Sequence, residues 1–231
     1  MPDHVLASSD STAVVRHVRT PGQHRMIIKP ALLGFTLVAF ALTWIAPRWP
    51  LEQALHGSLT IVGLVLLWRH DRRWPLHAAH YASICAFIVI HSVAARWLYS
   101  NVPYDTWIAA ISGGWSIDDA LGLTRNHVDR VIHLLFGACF APALRDFIAR
   151  RWRGVSSMQA FVLAVAAVMC TSLVYEWFEW AIALALSPEA AESYNGQQGD
   201  AWDAHADMLL ATLGALVAWP RRADNTTINV P

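Results

Sequence analysis

The stretch QQGDAWDAHADM, residues 197–208, runs directly into LLATLGALVAW, residues 209–219, and so places three carboxylates at the head of an apolar, small-residue run. If residues 203–219 are helical, Asp203 and Asp207 share one face, and Asp200 lies one turn earlier. The same stripe continues as Ala211 and Ala215, with Gly214 beside it. Small side chains let a second helix come close, while the acids present themselves at the rim. A charged side chain at the centre of a membrane span costs about 2.5 to 3.5 kcal/mol on insertion scales, so it requires a partner or a purpose.

Composition argues for a membrane setting. Of 231 residues, 55% are hydrophobic and 15% charged, against about 25% charged in soluble domains, and mean hydropathy is +0.35. The formal net charge of zero gives no electrostatic footprint of a nucleic-acid partner. All but one of the basic residues are arginine, so their placement carries the information. Cys85, Cys139 and Cys170 all fall in apolar runs, and an odd count without a CxxC spacing supports packing rather than a disulfide framework.

Apolar runs occupy residues 27–46, 51–68, 76–98, 128–148, 159–186 and 203–219. Such lengths, at about 1.5 Å rise per residue, suit a bilayer core. The fold class that follows is all-α: a polytopic integral membrane helix bundle of about six transmembrane helices, with the lipid bilayer as its first partner. The expected organisation is a disordered tail at residues 1–25, a transmembrane helical domain at 26–220 and a second tail at 221–231. Basic residues gather in the N-terminal tail, at Arg69, Arg72 and Arg73, at Arg150, Arg151 and Arg153, and at Arg221 and Arg222. With an even number of spans these all fall on one side, which the positive-inside rule makes cytoplasmic, with both termini there. The long loop at residues 100–126 carries Trp107, Ile108, Ile111 and Trp115 and is expected to lie on the membrane or fold back over the spans. Trp97 and Tyr99 are expected to act as interfacial anchors.

This topology brings the polar residues of three spans to one depth. The fourth run enters through RNHVDRVIH, with Asp129 and His133 four apart and Gly137 and Ala141 continuing their face. The fifth leaves through YEWFEW, with Ser172, Glu176 and Glu179 inward and Trp177 and Trp180 toward the interface. His91 and Arg96 of the third run are within reach of the same layer. The candidate catalytic set is Asp129, His133, Glu176, Glu179, Asp203 and Asp207. Of these, His133, Glu176, Glu179, Asp203 and Asp207 form an oxygen-rich ligand set with one imidazole for a divalent metal such as Mg, Mn, Zn or Fe. Against this stands a purely structural alternative, in which Arg96, Arg125 and Arg130 neutralise the acids in buried pairs.

Three functions are compatible with the pattern: a metal-assisted enzyme on a lipid-linked or envelope substrate, a small ion- or proton-coupled transporter, and a non-catalytic membrane partner. The apolar halves of the fourth to sixth runs offer an ion no polar path, and no inverted repeat is evident, so transport ranks below the enzyme.

RNHVDRVIHLLFG, YEWFEW and QQGDAWDAHADMLLATLGA, preceded by NVPYDTW at residues 101–107, together resemble the YjdF-like family of bacterial inner-membrane proteins. The likeness spans roughly residues 32–218. It implies a multi-pass protein of the bacterial inner membrane and carries no activity with it. The family's motif residues correspond to Asp129, Arg130 and His133, to Tyr175, Glu176, Glu179 and Trp180, and to Gly199, Asp200, Trp202, Asp203, Asp207 and Met208. This sequence departs from the pattern at His127 or Val128, where the family usually has a tyrosine, so neither position is carried over. More remotely, the order of an Asp-x-x-x-His and an Asp before a Gly-Ala span is similar to VanZ-like proteins. A reporter active only outside the cytoplasm, fused after Pro231, is expected to be silent; strong signal would reverse the orientation.

Overall fold

The computed structural model describes residues 21–220, with side chains from residue 28 onward. The expected tail at 221–231 and most of that at 1–25 lie outside the described residues. The chain forms α1 (Pro21–Leu42), α2 (Pro50–Arg73), α3 (Ala78–Arg96), α4 (Tyr104–Ser112), α5 (Ile117–Leu121), α6 (Val128–Arg151), α7 (Ser157–Ala185), α8 (Pro188–Asn195) and α9 (Asp203–Ala215). Four of these, α2, α3, α6 and α7, are long and apolar enough to cross a membrane. The shorter apolar stretch Ile28–Leu42 of α1 and the 13-residue α9 complete the six apolar runs.

Local sequence explains where the helices start and stop. Ser156 opens α7 with a capping box: its hydroxyl accepts from Gln159 N–H at 3.2 Å, and the Gln159 side chain accepts from Ser156 N–H at 2.8 Å. The last run was expected to be helical to residue 219. Instead α9 ends at Ala215, a 3-10 turn follows at Leu216–Ala218, and Trp219 is extended at φ −49° and ψ 131°. Pro220 comes next, and the residue before a proline is pushed out of the helical region. The loop at 187–202, read from sequence as acidic loop, contains α8, capped by Ser187 and closed by Gly196 at φ 63°.

Helix α6 lies at the centre and packs on α3, α7 and α9. Its contact with α9 is backbone on backbone: a Cβ added at Gly137 would overlap the Ala211 carbonyl, and one at Gly214 would overlap the Leu134 carbonyl. Ala141, Ala211 and Ala215 are fully buried in the same seam. The small-residue stripes of the two runs thus face each other, as small residues do where helices meet in a bilayer. Both helices run in the same direction, and their first turns lie at one end of the bundle. The loops leading into them are tied together, because the Gln198 side chain accepts from Asn126 N–H at 2.9 Å and donates to the Asn126 carbonyl at 3.0 Å.

At that same end Arg96 donates to the carbonyls of Thr43 and Ala46, and Gln53 donates to the Thr43 carbonyl at 3.0 Å. These side chains cap α1, so Arg96 serves the backbone rather than the acids. Tyr99, expected at the interface, is buried. Trp97 is the partner of Trp107 and of Arg48 at the surface.

Gly137→Leu and Gly214→Leu are each expected to force α6 and α9 apart and cost about 1 to 3 kcal/mol or more. Gly34→Leu, where an added Cβ meets nothing, is the tolerated control. Thermal aggregation of the three variants in detergent checks this.

Candidate functional site

The parallel start of α6 and α9 places Asp129 in the first turn of one helix and Asp203 in the first turn of the other. Helix N-termini carry partial positive charge and attract carboxylates. One turn further in, His133 on α6 and Asp207 on α9 reach the same level, and Glu176 approaches from α7. One ligand atom each of Asp129, His133 and Asp207 lies within 4.8 Å of the others. His133 Nε2 stands 3.7 Å from Asp129 Oδ1 and 3.8 Å from Glu176 Oε1. Tyr175 covers the imidazole edge-on at 5.7 Å between ring centroids.

The six acids of this layer divide into two groups. Arg125 pairs with Asp203 at 2.8 Å and with Asp200 at 3.2 Å, and Arg130 pairs with Asp200 and lies 3.5 Å from Asp203. Among the described residues no arginine pairs with Asp129, Glu176, Glu179 or Asp207. Oδ1 of Asp207 and Oε1 of Glu176 are buried without a hydrogen-bond partner. A buried, unpartnered carboxylate oxygen is costly, and such atoms are normally satisfied by protein, water or an ion. Buried ion pairing therefore accounts for Asp200 and Asp203 and leaves the other acids unexplained.

The chemistry of the donor set fits a metal. Two carboxylates and an imidazole suit Zn, Mn or Fe(II), and bonds of about 2.0 to 2.2 Å would bring the ligand atoms to no more than about 4.4 Å apart. The present spread of 4.8 Å is close to that limit and within side-chain adjustment. The grouping differs in detail from the five ligands expected from sequence. Asp129 joins His133 and Asp207, Glu176 stands beside them, Asp203 faces the arginines, and Glu179 lines the neighbouring cleft.

A cleft of about 370 Å³ opens beside the cluster and is lined by Glu176, Glu179, Asn195, Asp203, His205 and Asp207. Trp177 and Trp180 form its edge and are exposed. On the other flank, Asp129 and His133 border a second, apolar cavity.

Behind the acids lies a polar layer of which the sequence reading named only His91 as a neighbour of the acids. His91 accepts or donates through both ring nitrogens, to Thr60 at 3.2 Å and to the Tyr99 hydroxyl at 2.9 Å. His56 is 1% exposed, stacks on Tyr194 at 4.3 Å and meets Tyr99 edge-on at 4.8 Å. Gln53, His56 and Thr60 recur at helical spacing through an otherwise apolar run, a signal available in the sequence.

Fold and site together define a multi-pass α-helical membrane protein with a carboxylate and imidazole cluster buried at one end of its bundle. Residues 28–221 match the family described as "Predicted membrane protein (DUF2238)", and the chain belongs to that family. It is 32% identical over 193 residues to the inner membrane protein YjdF of Escherichia coli (strain K12), across 83% of this chain and 86% of the relative. No solved structure matches.

Asp200 lies in the loop before α9. A hydrogen bond from Trp202 N–H, then contacts with Arg130 and Arg125, hold its carboxyl below the ordinary value of 3.8. A depressed folded value contributes stability above the unfolded value that is lost as pH falls through the folded one. Wild type is therefore expected to melt higher than Asp200→Asn at pH 6, and the difference should vanish well below pH 3.8. Paired melting curves from pH 6 to pH 2.5 check this.

Proposed function

We propose that Asp129, His133 and Asp207 hold a divalent metal, with Glu176 as the adjacent base, in an enzyme acting on a lipid-linked or envelope substrate. The observation that carries this reading is the convergence of three ligand atoms within 4.8 Å while the neighbouring arginines are occupied by Asp200 and Asp203. A divalent ion bound there supplies Lewis acidity and a more acidic water. The chain's own residues do the rest. Glu176 borders both the imidazole and the cleft, where it takes a proton from a water or hydroxyl. Arg125 and Arg130 are taken up by Asp200 and Asp203, which leaves the three ligands free for the ion. Trp177 and Trp180 flank the cleft mouth at the depth where aromatic side chains meet lipid head groups.

The placement of basic residues in the loops supports an extracytoplasmic position for the cluster, with both termini cytoplasmic. The E. coli relative's name supports an inner-membrane location. A carrier is disfavoured because Phe161, Ala164, Val168, Ala211 and Ala215 pack tightly between α6, α7 and α9, and the cavity on the other flank of α6 has an almost wholly apolar wall, so an ion finds no polar path.

Elemental analysis of detergent-purified protein tests the proposal. Wild type is expected to carry roughly one divalent ion per chain, and His133→Ala and Asp207→Asn are expected to lose at least about nine-tenths of it. Glu179→Gln is expected to keep it. Folded wild type without metal, or Asp207→Asn that retains it, would leave buried ion pairing as the account of the acids.

A further inference from the structure

Below Asp129 and His133 a cavity of about 610 Å³ runs between α2, α3, α6 and α7. This is within the range of roughly 300 to 1,000 Å³ that small-molecule sites occupy. Its wall is almost wholly apolar, with Leu67, Ile88, Phe87, Phe136 and Phe140 prominent. His133 and Phe147 both line it, and α6 rises about 21 Å between them at 1.5 Å per residue. The cavity is therefore long, narrow and parallel to the spans.

Two observations show how it meets its surroundings. Helix α2 packs on α3, and neither α6 nor α7 is among its close partners. The cavity thus has a side opening, edged by Val62, Leu66 and Val174, which are half or more exposed. Most of its polar groups, Thr60, His91, Tyr99, Asp129, His133 and Ser172, gather at one end, and His70 stands beside Phe147 at the other. Ser172 is 2% exposed and its hydroxyl has no partner. An apolar channel open to the bilayer, with an unpartnered hydroxyl and the three-ligand cluster at its head, matches an amphiphile in shape and polarity.

We infer that this groove receives an acyl chain of a membrane phospholipid, whose polar head then meets the Asp129–His133–Asp207 cluster. The inference rests on the proposed metal site and names the substrate class for it. A phospholipid is the occupant because the opening faces the hydrocarbon core laterally, where phospholipid chains are the molecules at hand. The chain enters between α2 and α7, and the apolar wall replaces its bilayer neighbours at little cost.

Gly63 provides the test. It lines the groove, and an added Cβ there meets nothing, so Gly63→Phe fills the space without striking the backbone. Wild type and Gly63→Phe are reconstituted with a phospholipid carrying a diazirine in one acyl chain, irradiated, and mapped by peptide mass spectrometry, with metal content measured on the same samples. The expected result is labelling of α6 between residues 132 and 147 in wild type, reduced at least tenfold in Gly63→Phe, with metal content unchanged. Equal labelling in the variant, or labelling confined to the lipid-facing Val131 and Leu163, overturns the groove. Protection by a polyprenyl phosphate but not by unlabelled phospholipid overturns the phospholipid assignment. Metal absent from a wild type that still labels in the groove refutes the metal-site reading and leaves the chain-binding groove standing, so the two failures are read separately.

Discussion

Backbone meets backbone where α6 crosses α9, and the arrangement of the polar end depends on that contact. With glycine at 137 and 214, each helix lies against a carbonyl of the other, and no side chain stands between them. Two parallel helices held this close start at the same level, so their first turns bring Asp129 and Asp203 together and their second turns bring His133 and Asp207 together. The separation of the ligands is thus set by main chain rather than by the rotamers of long side chains. Such a frame loses little entropy when a ligand is added, the usual requirement for a preorganised site.

Charge in this layer is distributed by the loops together with the first turns of the helices they lead into. Arg125 lies just before α6 and Asp200 just before α9, and the Asn126–Gln198 hydrogen bonds keep the two loops in register. Two guanidinium groups are absorbed by two carboxylates, Asp200 in the loop and the buried Asp203 at the start of α9. The other acids are left to the imidazole and to one another. An acidic group kept from its arginines inside an apolar bundle is expensive, and the fold retains four of them.

Much of this arrangement was legible in the sequence, because the period of an α-helix turns a spacing of four into a shared face. DxxxHxxxGxxxA from Asp129 and DxxxDxxxAxxxA from Asp203 announce both the acids and the close seam beneath them. The division of the acids was not legible. Whether Arg125 takes Asp203 or Asp129 depends on loop geometry, and loops carry no hydrophobic period. Helix α8 escaped notice for a similar reason: it is eight residues long, with only Tyr194 buried. Tyr99 looked like a surface anchor beside Trp97, yet a positive φ of 52° turns it back into the bundle to meet His91. The polar residues of α2 are written at helical spacing, but Gln53, His56 and Thr60 are individually too ordinary to stand out in an apolar run.

The stack of His56 on Tyr194 ties two parts of the molecule that share little else. Helix α2, which has few close partners besides α3, forms one edge of the side opening, and Tyr194 belongs to α8, which leads through Gly196 into the loop carrying Gln198 and Asp200. Gly196 is itself lodged against Ser100, so that loop is anchored at one point and drawn from another. One aromatic stack thus joins the helix that edges the side opening to the segment leading into the carboxylate that occupies both arginines.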